Sequence, residues 1–115
     1  MQYTVLQVQV LDSVYDSVNE LGHSAAATQY PEYGAYLDTM MGGFKSYKPE
    51  YLQYYKPVCE IEADDLNGVF HTGNMGPETS ITRLAPMHSV SVGDIIQDTN
   101  GSMYMVDRFG FKEIV

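Results

Sequence analysis

Basic residues are scarce in this chain of 115 residues. Six Lys and Arg stand against 15 Asp and Glu, a formal net charge of −9. The six are scattered as Lys45, Lys48, Lys56, Arg83, Arg108 and Lys112. Nucleic-acid binding needs clustered cations that release counterions from phosphates, and a net negative surface repels polyanions and anionic lipid. Direct nucleic-acid binding is therefore not expected; an acidic surface commonly serves solubility alone, and a partner of opposite charge is the functional alternative. Cysteine is nearly absent too: the single Cys59 forms no internal disulfide, which fits a reducing compartment. No apolar run approaches the ~18 residues of a membrane-spanning helix, and no basic stretch leads into an apolar one near residue 1. The expected location is the cytoplasm, with no membrane partner.

What is present suits one folded domain over residues 1–115. An apolar content of 44% with 10 tyrosines excludes a disordered chain. A chain of this length buries about two-thirds of its unfolded surface, enough to fold without metal or disulfide. Val8 and Val10 alternate with Gln7 and Gln9 in an opening stretch rich in β-branched residues, which predicts a strand with one buried face. Asp12 or Ser13 then caps a helix whose Val14, Val18 and Leu21 share a face, and Gly22 suits the position after its last turn. Residues 23–57 read as an insertion-like, tyrosine-rich segment. Pro31 opens a helix through Tyr33, Tyr36, Leu37 and Met40, Gly42-Gly43 stops it, and Pro49 opens one short turn.

The second half is more regular. Cys59, Ile61 and Ala63 alternate with Glu60 and Glu62, a strand with the glutamates outside. Asp64-Asp65 caps a short helix, Leu66 to Thr72, that Gly73 ends; Ile81 to Leu84 forms a short strand before Pro86. After a Val92-Gly93-Asp94 turn, Ile95-Ile96 begins a strand, Asn100-Gly101 makes a hairpin, and Phe111 to Val115 is a last strand. The order β-α-(α)-β-α-β-β-β-β predicts an α+β domain: a small mixed or antiparallel sheet, two to three helices and a C-terminal β-hairpin. One shared core is expected, from Val5, Val8, Val10, Val14, Val18, Leu21, Cys59, Ile61, Phe70, Ile95, Val106 and Phe111.

The run His88-Ser89-Val90-Ser91-Val92-Gly93-Asp94-Ile95-Ile96, the hairpin, and the closing Gly110-Phe111-Lys112-Glu113-Ile114 resemble the end of small phage and mobile-element proteins, YodL-like domains among them. Val69-Phe70 and Gly73-Asn74-Met75-Gly76-Pro77 are similar to the same group. The resemblance covers about residues 58–115. It implies a setting, a phage or mobile-element accessory protein acting in the host cytoplasm, and no particular reaction.

Candidate chemistry is thin. Cys59, His71 and His88 lie 12 and 17 residues apart, without the paired short spacings of a zinc site, so no metal is expected. No cofactor motif is present: Gly73-Asn74-Met75-Gly76 follows a helix and lacks a phosphate-loop lysine. His71, His88, Asp94, Tyr104 and Asp107 are the acid–base candidates. Of these, His88 and Asp94 are close enough in sequence for the intervening turn to join them, which would suit a small-molecule, nucleotide or catalytic site. The ordinary role of Asp94 is to accept backbone amides in its turn. Glu60, Glu62, Asp64 and Asp65 form the densest acidic run, with Glu60 and Glu62 about 7 Å apart on a strand face, near a phosphate spacing.

The tyrosines are the least ordinary feature. Seven of the ten, Tyr30, Tyr33, Tyr36, Tyr47, Tyr51, Tyr54 and Tyr55, fall within one segment. Tyrosine offers a large apolar face with a polar tip and suits contact surfaces as well as cores. The expectation is a non-catalytic, acidic protein-binding domain whose principal contact, with a protein partner or a second copy, is this segment. The alternative is a ligand site at His88 and Asp94.

Overall fold

The first strand, β1 (Gln2–Val8), lies near the middle of the sheet. Its residues Val5, Leu6, Gln7 and Val8 are all buried, so both of its faces are covered rather than the single face its alternation suggests. The computed structural model describes residues 1–10 and 12–114, without the Asp12 side chain, so the expected Asp12 cap and the place of Val115 in the last strand lie outside the described residues. The other strands are β2 (Tyr55–Glu62), β3 (Ile81–Arg83), β4 (Ile95–Gln97), β5 (Met103–Val106) and β6 (Phe111–Ile114). They pair antiparallel throughout, in the order β3-β2-β1-β4-β5-β6. The helices are α1 (Asp12–Leu21), α2 (His23–Gln29), α3 (Pro31–Gly42) and α4 (Leu66–Met75), joined by 3₁₀ turns at Gly43–Ser46, Pro49–Tyr54 and Glu78–Ser80. The α+β class holds, with four α-helices among the described residues instead of two to three. The additional helix, α2, carries no amphipathic stripe and no side-chain cap, and only Ala26 of it is fully buried.

Alternation along the strands sends side chains to two faces, and each face has its own core. On one, Tyr3, Val5, Cys59, Ile61, Ile96 and Val106 pack with Val69 of α4 and with Val90. On the other, Leu6, Val8, Tyr55, Ile95 and Met105 pack with Tyr36 and with the 3₁₀ residues Phe44 and Leu52. Val14, Ala26 and Tyr33 join α1, α2 and α3 behind that layer. The single core expected from the sequence is thus divided by the sheet, and two of its expected members, Leu21 and Phe70, are exposed. Segment 23–57 supplies most of one covering layer.

Two local features set the frame. Val5 pairs with Cys59 but Leu6 with Pro57, so Val58 is the extra residue of a bulge. Its carbonyl accepts the amides of Leu84 and Ala85, at 2.9 and 3.2 Å, and turns the chain out of β3. Pro57 falls beyond the stretch of β2 that β3 pairs and stands at the register shift against β1, a bulge position where proline is tolerated. Helix α4 runs past Gly73 to Met75 and is capped at Gly76. Gly73 is an interior contact rather than a stop: a Cβ there would lie 2.2 Å from Cγ2 of Val90.

Gly73→Ala should therefore lower stability by about 1–3 kcal/mol through overpacking. Ile61→Ala, which empties a fully buried position, should cost about 2–5 kcal/mol. Urea midpoints check both, and an unchanged midpoint for either contradicts the packing of α4 and Val90 on this face.

Candidate functional site

The turn after Val90 brings His88 and Asp94 together, and the residue that joins them is Gln7. The Gln7 side chain pairs with the His88 backbone as a strand would: Nε2 donates to its carbonyl at 2.9 Å and Oε1 accepts its amide at 3.3 Å. The second Nε2 hydrogen goes to Oδ2 of Asp94, at 3.0 Å. The same carboxylate oxygen accepts the Ser91 amide at 3.0 Å, the local role expected for Asp94. His88 Nδ1 lies 4.0 Å from that oxygen and 2.7 Å from the Ser89 carbonyl. A carbonyl cannot donate, so the short contact to Ser89 is made by an Nδ1–H, while Gln7 Nε2 lies 3.2 Å from the same nitrogen. Gln7 was legible only as an outward-facing strand residue, because a polar residue between valines is ordinarily solvated.

Asp94 is buried and His88 is 42% exposed, so the pair does not open jointly to solvent. His88 borders an open groove of about 360 Å³ between the end of α4 and β3, with Thr72, Asn74, Arg83 and Ser89 among its walls. Asp94 does not line it. Arg83 is engaged by Glu78, its NH2 group 2.6 Å from a carboxylate oxygen. Burial pushes the Asp94 carboxyl well above the usual carboxylate range, opposed by His88, the Ser91 amide and Gln7. Tyr36, Tyr55 and Cys59 are the other titratable groups whose fields meet Asp94.

The folded chain consequently holds the Asp94 proton more tightly than the unfolded chain does. The stability this group contributes is complete below an unfolded value of about 3.9 and is lost as pH rises through the raised folded value. Asp94→Asn should flatten that part of the stability–pH profile, read from urea midpoints across mildly acid to mildly alkaline pH. Equal slopes for variant and parent contradict the assignment.

Of the seven clustered tyrosines, Tyr33 and Tyr55 are buried and Tyr30, Tyr36, Tyr47, Tyr51 and Tyr54 are half-buried. Their rings build the helical layer. Tyr33 stacks on His23 and meets Tyr36, and Tyr47 stacks on Phe44. Tyr55 donates to the Gly93 carbonyl at 2.5 Å. Tyr51 donates to Asp38 at 2.5 Å, a bond that with burial pushes its phenol up to about 12. The exposed apolar groups of the segment are instead methionines: Met41 is 63% exposed and Met40 37%. With Ala27, Leu37 and Asp38 they border a groove of about 760 Å³ between α2 and α3. From the sequence Met40 is only a member of the α3 face with Tyr33, Tyr36 and Leu37, because helical spacing does not show which side is covered.

The remaining candidates are dispersed. His71 is exposed on α4, and Tyr104 lies on β5 opposite Ile96. Asp107 accepts the amides of Phe44 and Arg108, tying the turn before β6 to the 3₁₀ segment. Glu62 meets the amino group of Met1 and Glu60 accepts from Gln2, while Asp65 caps α4 through the Gly68 amide. Among the described residues no group of three or more His, Cys, Asp or Glu is placed to hold a metal ion, and no helix is long and apolar enough to cross a membrane. Cys59 is buried, and burial pushes its thiol up to about 11. Thiol reagents should modify it only as fast as the chain unfolds; prompt labelling of the native protein contradicts this placement.

No protein-family model matches the chain, and no curated protein or solved structure is significantly similar to it.

Proposed function

We propose that this chain is a small acidic protein-binding accessory protein of phage or mobile-element type, acting without catalysis in the cytoplasm, and that the α2/α3 groove is its contact site. The observation that carries the reading is the apolar groove itself, about 760 Å³, with Met40 and Met41 on its rim. Its volume is in the range of ligand-receiving clefts, and methionine is the side chain that best adapts to a docked surface. The contact thus stays within the tyrosine-rich segment, but the tyrosines support it from beneath. The setting rests on the likeness of residues 58–115 to phage and mobile-element proteins.

A ligand site at His88 is the second reading, favoured by the polar groove that His88 borders. It is weaker because a carboxylate that assists a histidine base holds the ring from behind through a hydrogen bond. His88 Nδ1 instead meets the Ser89 carbonyl at 2.7 Å and lies 4.0 Å from Asp94, whose donors Gln7 and Ser91 hold the turn in place.

A photo-crosslinking amino acid at Met41 should capture a discrete partner in the cell that makes the protein. The same group at Thr99, in the exposed turn at the far end of β4, should not. Equal capture at both positions, or capture at neither, contradicts the contact site.

A further inference from the structure

The contact site proposed above also constrains the chemistry of what it takes, and this step rests on that reading. Helices α2 and α3 are joined by Tyr30 alone and touch where a Cβ on Gly34 would lie 3.2 Å from the Ala27 carbonyl oxygen. Beyond that contact the groove opens between the turns bearing His23 and Ala27 and those bearing Leu37 and Met41. Its walls are side chains of α2, α3 and the following 3₁₀ turn, and it has no strand edge: the free backbone groups near it are confined to the amino end of α2 and the carboxy end of α3. An extended peptide laid there would leave its own N–H and C=O groups without partners, whereas a helix satisfies them internally.

Charge decides which helix. Residues 1–44 contain no lysine or arginine and five carboxylates: Asp12, Asp16, Glu20, Glu32 and Asp38. Asp38 stands in the groove wall, and Asp16 and Glu20 are exposed on α1. Three cations stand near this layer. Arg108 donates to the Met41 carbonyl and so answers the carboxy end of α3, Lys45 follows that end, and Lys48 lies 5.8 Å from the Tyr51 ring centre. An acidic helix would be repelled by this surface and by the whole chain at −9.

We infer that the groove receives the apolar stripe of a basic amphipathic helix, whose Lys and Arg flanks face Asp38 and the acidic α1. Methionines at the rim seat the stripe, and the carboxylates select against acidic helices and hasten encounter with basic ones.

The test uses the full chain and three synthetic peptides of about four helical turns, followed by fluorescence anisotropy. One is amphipathic with Lys and Arg flanks, one keeps the same apolar stripe with Glu flanks, and one has the basic composition scrambled so that no stripe forms. The basic amphipathic peptide should bind at least about tenfold more tightly than either control, and the advantage over the acidic one should shrink as salt rises. Met41→Ser and Asp38→Asn should each weaken it about threefold or more, the second mainly at low salt. Equal binding of acidic and basic peptides, equal binding of the scrambled one, or indifference to both substitutions overturns the inference. Binding of none of the three overturns it as well. If Met41 still crosslinks a partner in cells in that case, the groove remains the contact site and only the helix chemistry falls. If it does not, both fall.

Discussion

A buried amide and a buried carboxyl at one end of the sheet set the terms for the rest of the molecule. Gln7 sits in an otherwise apolar stretch of β1, and its two N–H groups meet the His88 carbonyl and Asp94. Each buried partner would be costly alone, since an unsatisfied polar group in the interior loses about 1–3 kcal/mol or more. Together they hold the turn from Ser91 to Asp94 against β1. That turn then carries the helical layer. Gly93 adopts φ +95°, and a Cβ there would fall 2.8 Å from the Thr39 carbonyl carbon, so α3 rests directly on bare backbone. Tyr55 closes the same junction from β2 through the Gly93 carbonyl. The position of α3, and with it the α2/α3 groove, depends on a clamp most of whose side chains come from other elements.

Much of the framework could be read from local chemistry. The Val-rich opening strand, the Pro31 start and Gly42-Gly43 stop of α3, the Asp65 cap and the Asn100-Gly101 hairpin each depend on residues within a few positions of one another. The misses share the opposite cause. Gln7 faces inward because of residues more than eighty positions away, and Gly73 is interior because Val90 lies across it. Helix α2 has alanines and no stripe, so only its packing between α1 and α3 reveals it. The tyrosine cluster was visible as an excess but not as a layer, since spacing alone does not tell a ring lying on a sheet from one offered to a partner.

The sheet edges narrow the ways this chain can meet another protein. β3 has three residues and ends in Arg83, which pairs with Glu78. β6 presents Lys112 and Glu113 in its middle. Short charged edges are a common guard against strand addition. Phe109, 91% exposed in the turn before β6, is a single protruding ring rather than a receiving surface. The sheet edges thus offer little for strand addition, which leaves the side-chain-walled groove as the docking site we propose.

The methionines allow one measurement to separate the contact site from its rival. Met40 and Met41 border the α2/α3 groove, whereas Met75 and Met87 border the polar groove beside His88. Methyl NMR of the methionine-labelled protein, recorded as an extract of the cell that makes it is added, reads both sites at once. The account predicts that the Met40 and Met41 methyl signals shift or broaden while those of Met75 and Met87 stay in place. Perturbation of Met75 and Met87 with Met40 and Met41 unmoved would contradict it and would transfer the functional site to His88.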